Sequence, residues 1–267
     1  MAKVIAVCNQ KGGVGKTTTT VNLGIGLARE GNSVLLVDAD SQGDLTTCLG
    51  WRNPDELDNT LSTYVTAVMN DAAVDMTPGI LHHEEGVDLL PANIELSSIE
   101  MQLVTAMSRE NVLRNLLNNI KDKYDYILID CMPSLGMMTI NALVAADEVI
   151  IPVQAQYLPT KGMTQLLQTI DKVNKHINHN LKIGGILITL ADGRTNLTRE
   201  IRDVLKNSFG RFLNIYDTMI PTAVATAKAS ATGKSIYEYD SKSPVAAAYK
   251  EITKTILNKE IERDWRE

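Results

Sequence analysis

The run Val4-Ile5-Ala6-Val7-Cys8 leads, after Asn9, into Gln10-Lys11-Gly12-Gly13-Val14-Gly15-Lys16-Thr17, and this junction constrains the fold more than any other part of the chain. An apolar β-type run ending in a glycine-rich turn, with Lys-Thr opening a helical stretch, predicts a strand–loop–helix unit. Glycines let backbone N–H groups close around phosphate oxygens, and the helix N-terminus adds partial positive charge. In such a loop Lys16 reaches the β- and γ-phosphates of a nucleotide, and the Thr17 hydroxyl sits on a magnesium ion. The loop departs from the literal pattern G-x-x-x-x-G-K-[ST]. Gln10 stands where the first glycine belongs, and a second lysine, Lys11, follows it.

The remaining sequence repeats the alternation that this unit begins. Apolar, β-rich runs fall at 3–8, 33–38, 87–91, 126–130, 148–153, 183–190 and 215–220, with helical patterns at 17–30, 111–121, 161–177 and 196–209. Several runs are near-continuous Val/Ile/Leu, the mark of strands covered on both faces. The alternation predicts the α/β class: a doubly wound, mostly parallel β-sheet flanked by helices, with ligands at the carboxyl ends of the strands. At 267 residues, with 44% hydrophobic and 22% charged, the chain suits one large domain, 1–267. Residues 50–86 are the most irregular stretch. A last helix opens at Ser243-Pro244, a cap and first-turn proline, with Val245, Tyr249, Ile252 and Ile256 on one face.

No apolar run reaches the roughly 18–20 residues of a membrane span, and the apolar N-terminus continues into the glycine loop as a strand rather than a signal peptide. Cys8, Cys48 and Cys131 lack metal-type spacing, so reduced thiols in a cytoplasm are expected. Net charge is −6, but unevenly spread: residues 1–180 carry −9 and residues 181–267 carry +3. A basic face on an acidic protein is therefore permitted.

Acids end two further runs. The second strand closes on Asp38-Ala39-Asp40-Ser41-Gln42-Gly43, and Tyr126-Ile-Leu-Ile closes on Asp130. Carboxylates at strand tips beside a phosphate loop suit phosphoryl transfer, which is mostly positioning and charge stabilisation. Without the loop upstream they would read as solvated strand ends.

The two-lysine loop is the deviant Walker A form of the P-loop NTPases, and the chain resembles the ParA/MinD group of ATPases. Ile151-Pro-Val-Gln-Ala-Gln-Tyr157, Ile186-Leu-Ile-Thr-Leu-Ala-Asp-Gly-Arg-Thr-Asn-Leu197 and Ile220-Pro-Thr222 through Asp240 are similar to chromosome and plasmid partition ATPases, so the likeness spans about residues 1–258. It implies ATP and Mg2+ as ligands, bound by Lys11, Gly12, Gly13, Val14, Gly15, Lys16, Thr17, Thr18, Asp130 and Pro221. It places Thr17, Asp38, Asp40 and Asp130 around the metal, with Asp40 holding the attacking water. Lys11, together with Lys16 and Asp40, is implied in catalysis, by crossing a two-fold interface to the partner's phosphates as an arginine finger does. An ATP-sandwich homodimer follows.

The resemblance further implies a slow, partner-stimulated ATPase in the cytoplasm, at the nucleoid, that binds DNA non-specifically and works with a ParB-like protein. Its form is the short one, since the first strand starts at residue 3 without a preceding helix-turn-helix. Arg194 matches a DNA-contacting arginine of short partition ATPases. Arg199, Arg202 and Lys206 follow at helical spacing on one face, with Lys228 beyond. The chain departs from the family at Ser41 and Met132, where proline is usual. It departs again after Pro221, where Thr222, Ala223 and Ala225 replace arginines. A MinD-like membrane switch is the alternative, but the tail from Asn258 to Glu267 is too charged to lie in lipid. An iron–sulfur relative would need paired cluster cysteines. Ala231-Thr-Gly-Lys-Ser235 mimics a phosphate loop but has no strand before it, and reads as a turn.

Overall fold

The apolar runs become seven strands: β1 (Lys3–Val7), β2 (Val34–Ala39), β3 (Leu81–His82), β4 (Asp88–Leu90), β5 (Tyr126–Cys131), β6 (Glu148–Gln154) and β7 (Lys182–Thr189). This computed structural model describes residues 1–155, 161–192 and 195–264. The strands form one sheet in the order β3-β4-β2-β5-β1-β6-β7, parallel except for the antiparallel β3–β4 pair. The helices are α1 (Lys16–Arg29), α2 (Asp44–Cys48), α3 (Leu61–Met69), α4 (Leu96–Leu103), α5 (Val112–Asn118), α6 (Met137–Ala145), α7 (Lys161–His176), α8 (Asn196–Phe209), α9 (Val224–Ala231), α10 (Ile236–Tyr239) and α11 (Pro244–Asp264).

Successive side chains of each strand face opposite layers, so every central strand feeds two cores. Val4, Ala6, Ile127, Ile129 and Ile151 join one core with α3 to α8. Ile5, Leu36, Leu128 and Ile150 join the other with α1, α2, α10 and α11. Helix α1 lies close against β2 because Gly24 faces it. A Cβ on Gly24 would stand 2.4 Å from Leu36 Cδ2. Helix α11 starts as expected, with Ser243 Oγ accepting from Ala246 N at 3.2 Å, and it buries Val245, Tyr249, Ile252 and Ile256.

The run at 215–220 does not become a strand. It touches β7 through one isolated parallel bridge, Ile186 with Ile215, and a second joins Ala191 to Pro221 past the ends of both. Tyr216 N donates to Ile186 O at 3.0 Å and Ile220 N to Ile188 O at 2.8 Å, with Asp217 to Met219 leaving the ladder between them. Pro221 has no N–H to continue it. The edge strand β3 and the helix α3 fall in the irregular stretch 50–86, the helices α2, α4, α6, α9 and α10 fall outside the expected runs, and the helix expected over 111–121 is shorter, being α5. The Ala231–Ser235 stretch closes α9 at Ala231 and then turns, as expected: Gly233 has φ +72°, and Ser235 caps α10.

Candidate nucleotide-binding site

The sheet register assembles the site. Asp130 pairs with Val7 of β1 on one side and with Asp38 of β2 on the other, so both acids and the glycine loop meet at the carboxyl ends of three adjacent strands. The loop climbs from β1 through Gly13 (φ +71°) and Gly15 (φ +83°), left-handed conformations that favour glycine. A Cβ at Gly12 or Gly13 would meet nothing within 4 Å, so the loop opens outward as a cradle. Val14 is buried below it, its carbonyl accepting from Thr189 Oγ1 at 2.7 Å.

Side chains fix the loop's edges. Asn9 Nδ2 donates to the Pro152 carbonyl at 2.6 Å, and its Oδ1 accepts from Lys11 N at 3.0 Å. Lys11 Nζ reaches Gln154 Oε1 at 3.3 Å on β6, while Lys16 is buried with Nζ 3.4 Å from the Lys11 carbonyl. Thr17 Oγ1 donates to Asp130 Oδ2 at 2.6 Å, and Thr20 Oγ1 to Asp130 Oδ1 at 3.4 Å. Thr18 lies one position further into α1, where its carbonyl accepts from Asn22 Nδ2 at 2.8 Å.

Asp38 is fully buried, with Oδ2 accepting from Thr46 N at 2.9 Å and Thr46 Oγ1 at 2.7 Å, and Oδ1 from Asp40 N at 3.2 Å. It therefore ties down the loop that carries Asp40. Asp40 itself is 9% exposed and accepts from Gln42 N at 3.1 Å. Burial pushes the Asp38 carboxyl up to about 7. Asp130 rises to about 8, first from burial and then from the charge of Asp38, against the lowering effect of Thr17. Two buried acids that resist ionisation form a region that a cation would relieve. Among the described residues, no three His, Cys, Asp or Glu side chains are grouped to hold a metal by themselves. A magnesium ion fits here through the Thr17 hydroxyl, carboxylates acting by way of water, and phosphate oxygens, as this ion commonly binds.

A pH effect follows from these two acids. Both folded values lie above the 3.8 of an unperturbed aspartate, so the folded chain keeps protons that the unfolded chain releases. Their contribution to stability is greatest near pH 4 and falls as pH rises through about 7 and 8. Melting of the nucleotide-free protein from pH 6 to 8.5 should show this slope, and Asp130→Asn should flatten it. An unchanged slope in the variant would contradict the assignment.

Other residues singled out in the sequence lie elsewhere. Pro221 stands beside Ala191 past the end of β7. Arg199, Arg202 and Lys206 share a face of α8 and line a groove with Thr195, Thr198 and Met219. Arg202 and Lys206 are both paired with Asp217, at 3.0 and 3.4 Å. Lys228 is exposed on α9, which packs on α2 and α10 and so belongs to a different helix group. Arg194, Gln156 and Tyr157 lie outside the described residues. Sequence reasoning missed Asn9, Thr46, Gln154 and Thr189, the residues that hold the loops. Only Asn9, an amide at the strand–loop junction, carried a local signal.

Comparison with known proteins agrees with this geometry. Residues 2–183 match the AAA domain family AAA_31. The chain is 44% identical to the sporulation initiation inhibitor protein Soj of Bacillus subtilis, over 96% of this chain and 98% of that protein. It is 37% identical to the chromosome partitioning protein ParA of Caulobacter vibrioides, over 98% and 96% of the two chains. Among solved structures, cobyrinic acid a,c-diamide synthase from Mycobacterium smegmatis with bound ADP and magnesium superposes with a TM-score of 0.84 at 36% identity, covering 100% of this chain and 96% of that one.

Proposed function

This chain belongs to the AAA domain family and, within it, to the Soj/ParA partitioning ATPases, and on that premise we propose an ATP-dependent dimerising ATPase that binds DNA without sequence preference. With a ParB-like partner it moves a chromosome, plasmid or mobile element, working at the nucleoid in the cytoplasm. The observation that carries this reading is the Thr17–Asp130 contact, 2.6 Å long, beneath an outward-opening glycine loop. The Mycobacterium smegmatis relative, which holds ADP and magnesium, supports ATP with Mg2+ as the ligands.

In this reading Gly12, Gly13, Val14, Gly15 and Thr18 line the phosphates through their backbone, and Lys16 holds the β- and γ-oxygens. Thr17 and Asp130 orient around the metal. Mg2+, when bound, neutralises charge on the β- and γ-oxygens. Asp40 orients the attacking water, and Asp38 holds the Asp40 loop through Thr46. Lys11 of each protomer crosses to the other's phosphates, and Pro221 borders the base. Arg194, Arg199, Arg202, Lys206 and Lys228 supply phosphate contacts, doubled in the dimer and strongly salt-dependent.

The test is a DNA mobility shift with ATP, with ADP and without nucleotide, on wild type and on Arg199→Ala/Arg202→Ala. Retardation is expected with ATP alone and is lost in the variant. Equal retardation with ADP overturns the coupling. ATP-driven amide synthesis is a second reading, favoured only by the name of the 36% identical Mycobacterium smegmatis structure. Phosphate release without any amine or carboxylic acid acceptor, raised by DNA and a ParB-like protein, separates the two.

A further inference from the structure

Helix α8 does not offer its cations as a bare strip. Asp217, on the segment running beside β7, reaches across to them. Its Oδ1 accepts from Arg202 Nη2 at 3.0 Å and from Lys206 Nζ at 3.4 Å. The Asp217 side chain is 85% exposed, against 33% for Arg202 and 44% for Lys206, so the carboxylate lies on the solvent side of the pair it bridges. It sits where the 214–222 segment leaves the β7 ladder, between the Tyr216 and Ile220 bonds. Neither sheet pairing nor burial explains an acid at this point.

The groove that these cations line has a volume of about 360 Å3, and Thr195, Thr198, Arg199 and the acid Asp203 line it too. Arg199 has no ion pair within 4 Å among the described residues, whereas Arg202 and Lys206 share one oxygen. A single anionic oxygen between a guanidinium and an ammonium is how a backbone phosphate is held. We propose that Asp217 is a built-in substitute for a DNA phosphate, bridging Arg202 and Lys206 beside the α8 groove and setting the affinity at which the DNA backbone displaces it. This rests on the reading of α8 as a DNA-binding face.

Exposed ion pairs of this kind are weak, so the exchange is readily reversible. Its effect lies in charge arithmetic: DNA reaches two cations only by expelling one anion in each protomer. A single subunit then binds poorly, while a dimer presenting two grooves benefits from linked binding. Asp217 thereby makes DNA capture depend on the nucleotide-formed dimer.

The experiment is fluorescence anisotropy of a labelled duplex of arbitrary sequence, titrated with wild type and Asp217→Asn across a salt series, with and without ATP. Asp217→Asn is expected to bind about tenfold more tightly near 0.1 M salt. Its log–log salt slope stays close to that of wild type, because in both complexes Arg202 and Lys206 end on phosphates. Binding then appears without ATP, and Asp217→Glu stays near wild type. In an Arg202→Ala/Lys206→Ala background, Asp217→Asn should change nothing. Wild-type affinity in Asp217→Asn would overturn the inference and leave the DNA reading standing. The same tightening in the Arg202→Ala/Lys206→Ala background would also overturn it, because the effect would then be bulk charge. If no protein holds DNA at any salt, both fall.

Discussion

Lys11→Ala is expected to lower ATP hydrolysis by about a thousandfold, the lower end of what a cation supplied in trans contributes to phosphoryl transfer. It should also remove the ATP-dependent dimer, while Mg-ATP still binds each subunit through Lys16 and Thr17. The reason is where the side chain rests. Lys11 Nζ lies 3.3 Å from Gln154 Oε1 of its own β6, at the rim of the loop, whereas Lys16 is buried behind the loop. In the proposed reading only the buried lysine serves its own nucleotide. Phosphate release at steady state and light scattering with ATP check both parts. A Lys11→Ala protein that hydrolyses ATP and dimerises normally would remove the role given to this residue.

Tyr249→Ala is the substitution expected to cost most stability, about 3–5 kcal/mol, as for other large aromatic side chains truncated in a core. Tyr249 is 1% exposed on α11, and its hydroxyl meets Thr19 Oγ1 of α1 at 3.2 Å. Truncation leaves a cavity directly behind the helix that carries Lys16 and Thr17, and strands the Thr19 hydroxyl in it. At about 2–4 °C per kcal/mol for a chain of this size, Tm should fall by about 10 °C. Tyr249→Phe, which keeps the ring and loses one hydrogen bond, should cost only about 1 kcal/mol. Thermal melts of the two variants decide it; equal losses would mean that the hydroxyl, not the packing, matters.

Most of the sheet could be read from the sequence because its central strands are buried on both faces and show as unbroken Val/Ile/Leu runs. The elements that escaped are those whose signal is not periodic. Strand β3 has two residues, and α10 has four. The stretch at 215–220 has strand-like composition, but pairing fails where Asp217 to Met219 leave the ladder. The acids of the site were visible because each ends an apolar run. Thr46 was not, since its bond to Asp38 depends on a tight loop closing over eight residues. The basic face of α8 followed from helical spacing, but its neutralisation by Asp217 did not. That pairing crosses from a helix to an irregular segment, where no spacing rule applies.

The two borders of the sheet have a consequence wherever copies of this chain are crowded together. On one side the outermost strand is only Leu81–His82, and on the other β7 is shadowed by the 214–222 segment, which takes up its Ile186 and Ile188 groups. Among the described residues, neither flank offers a long open row of amides on which another copy could add a strand. Copies crowded side by side therefore have little means of zipping into fibrils through these strands.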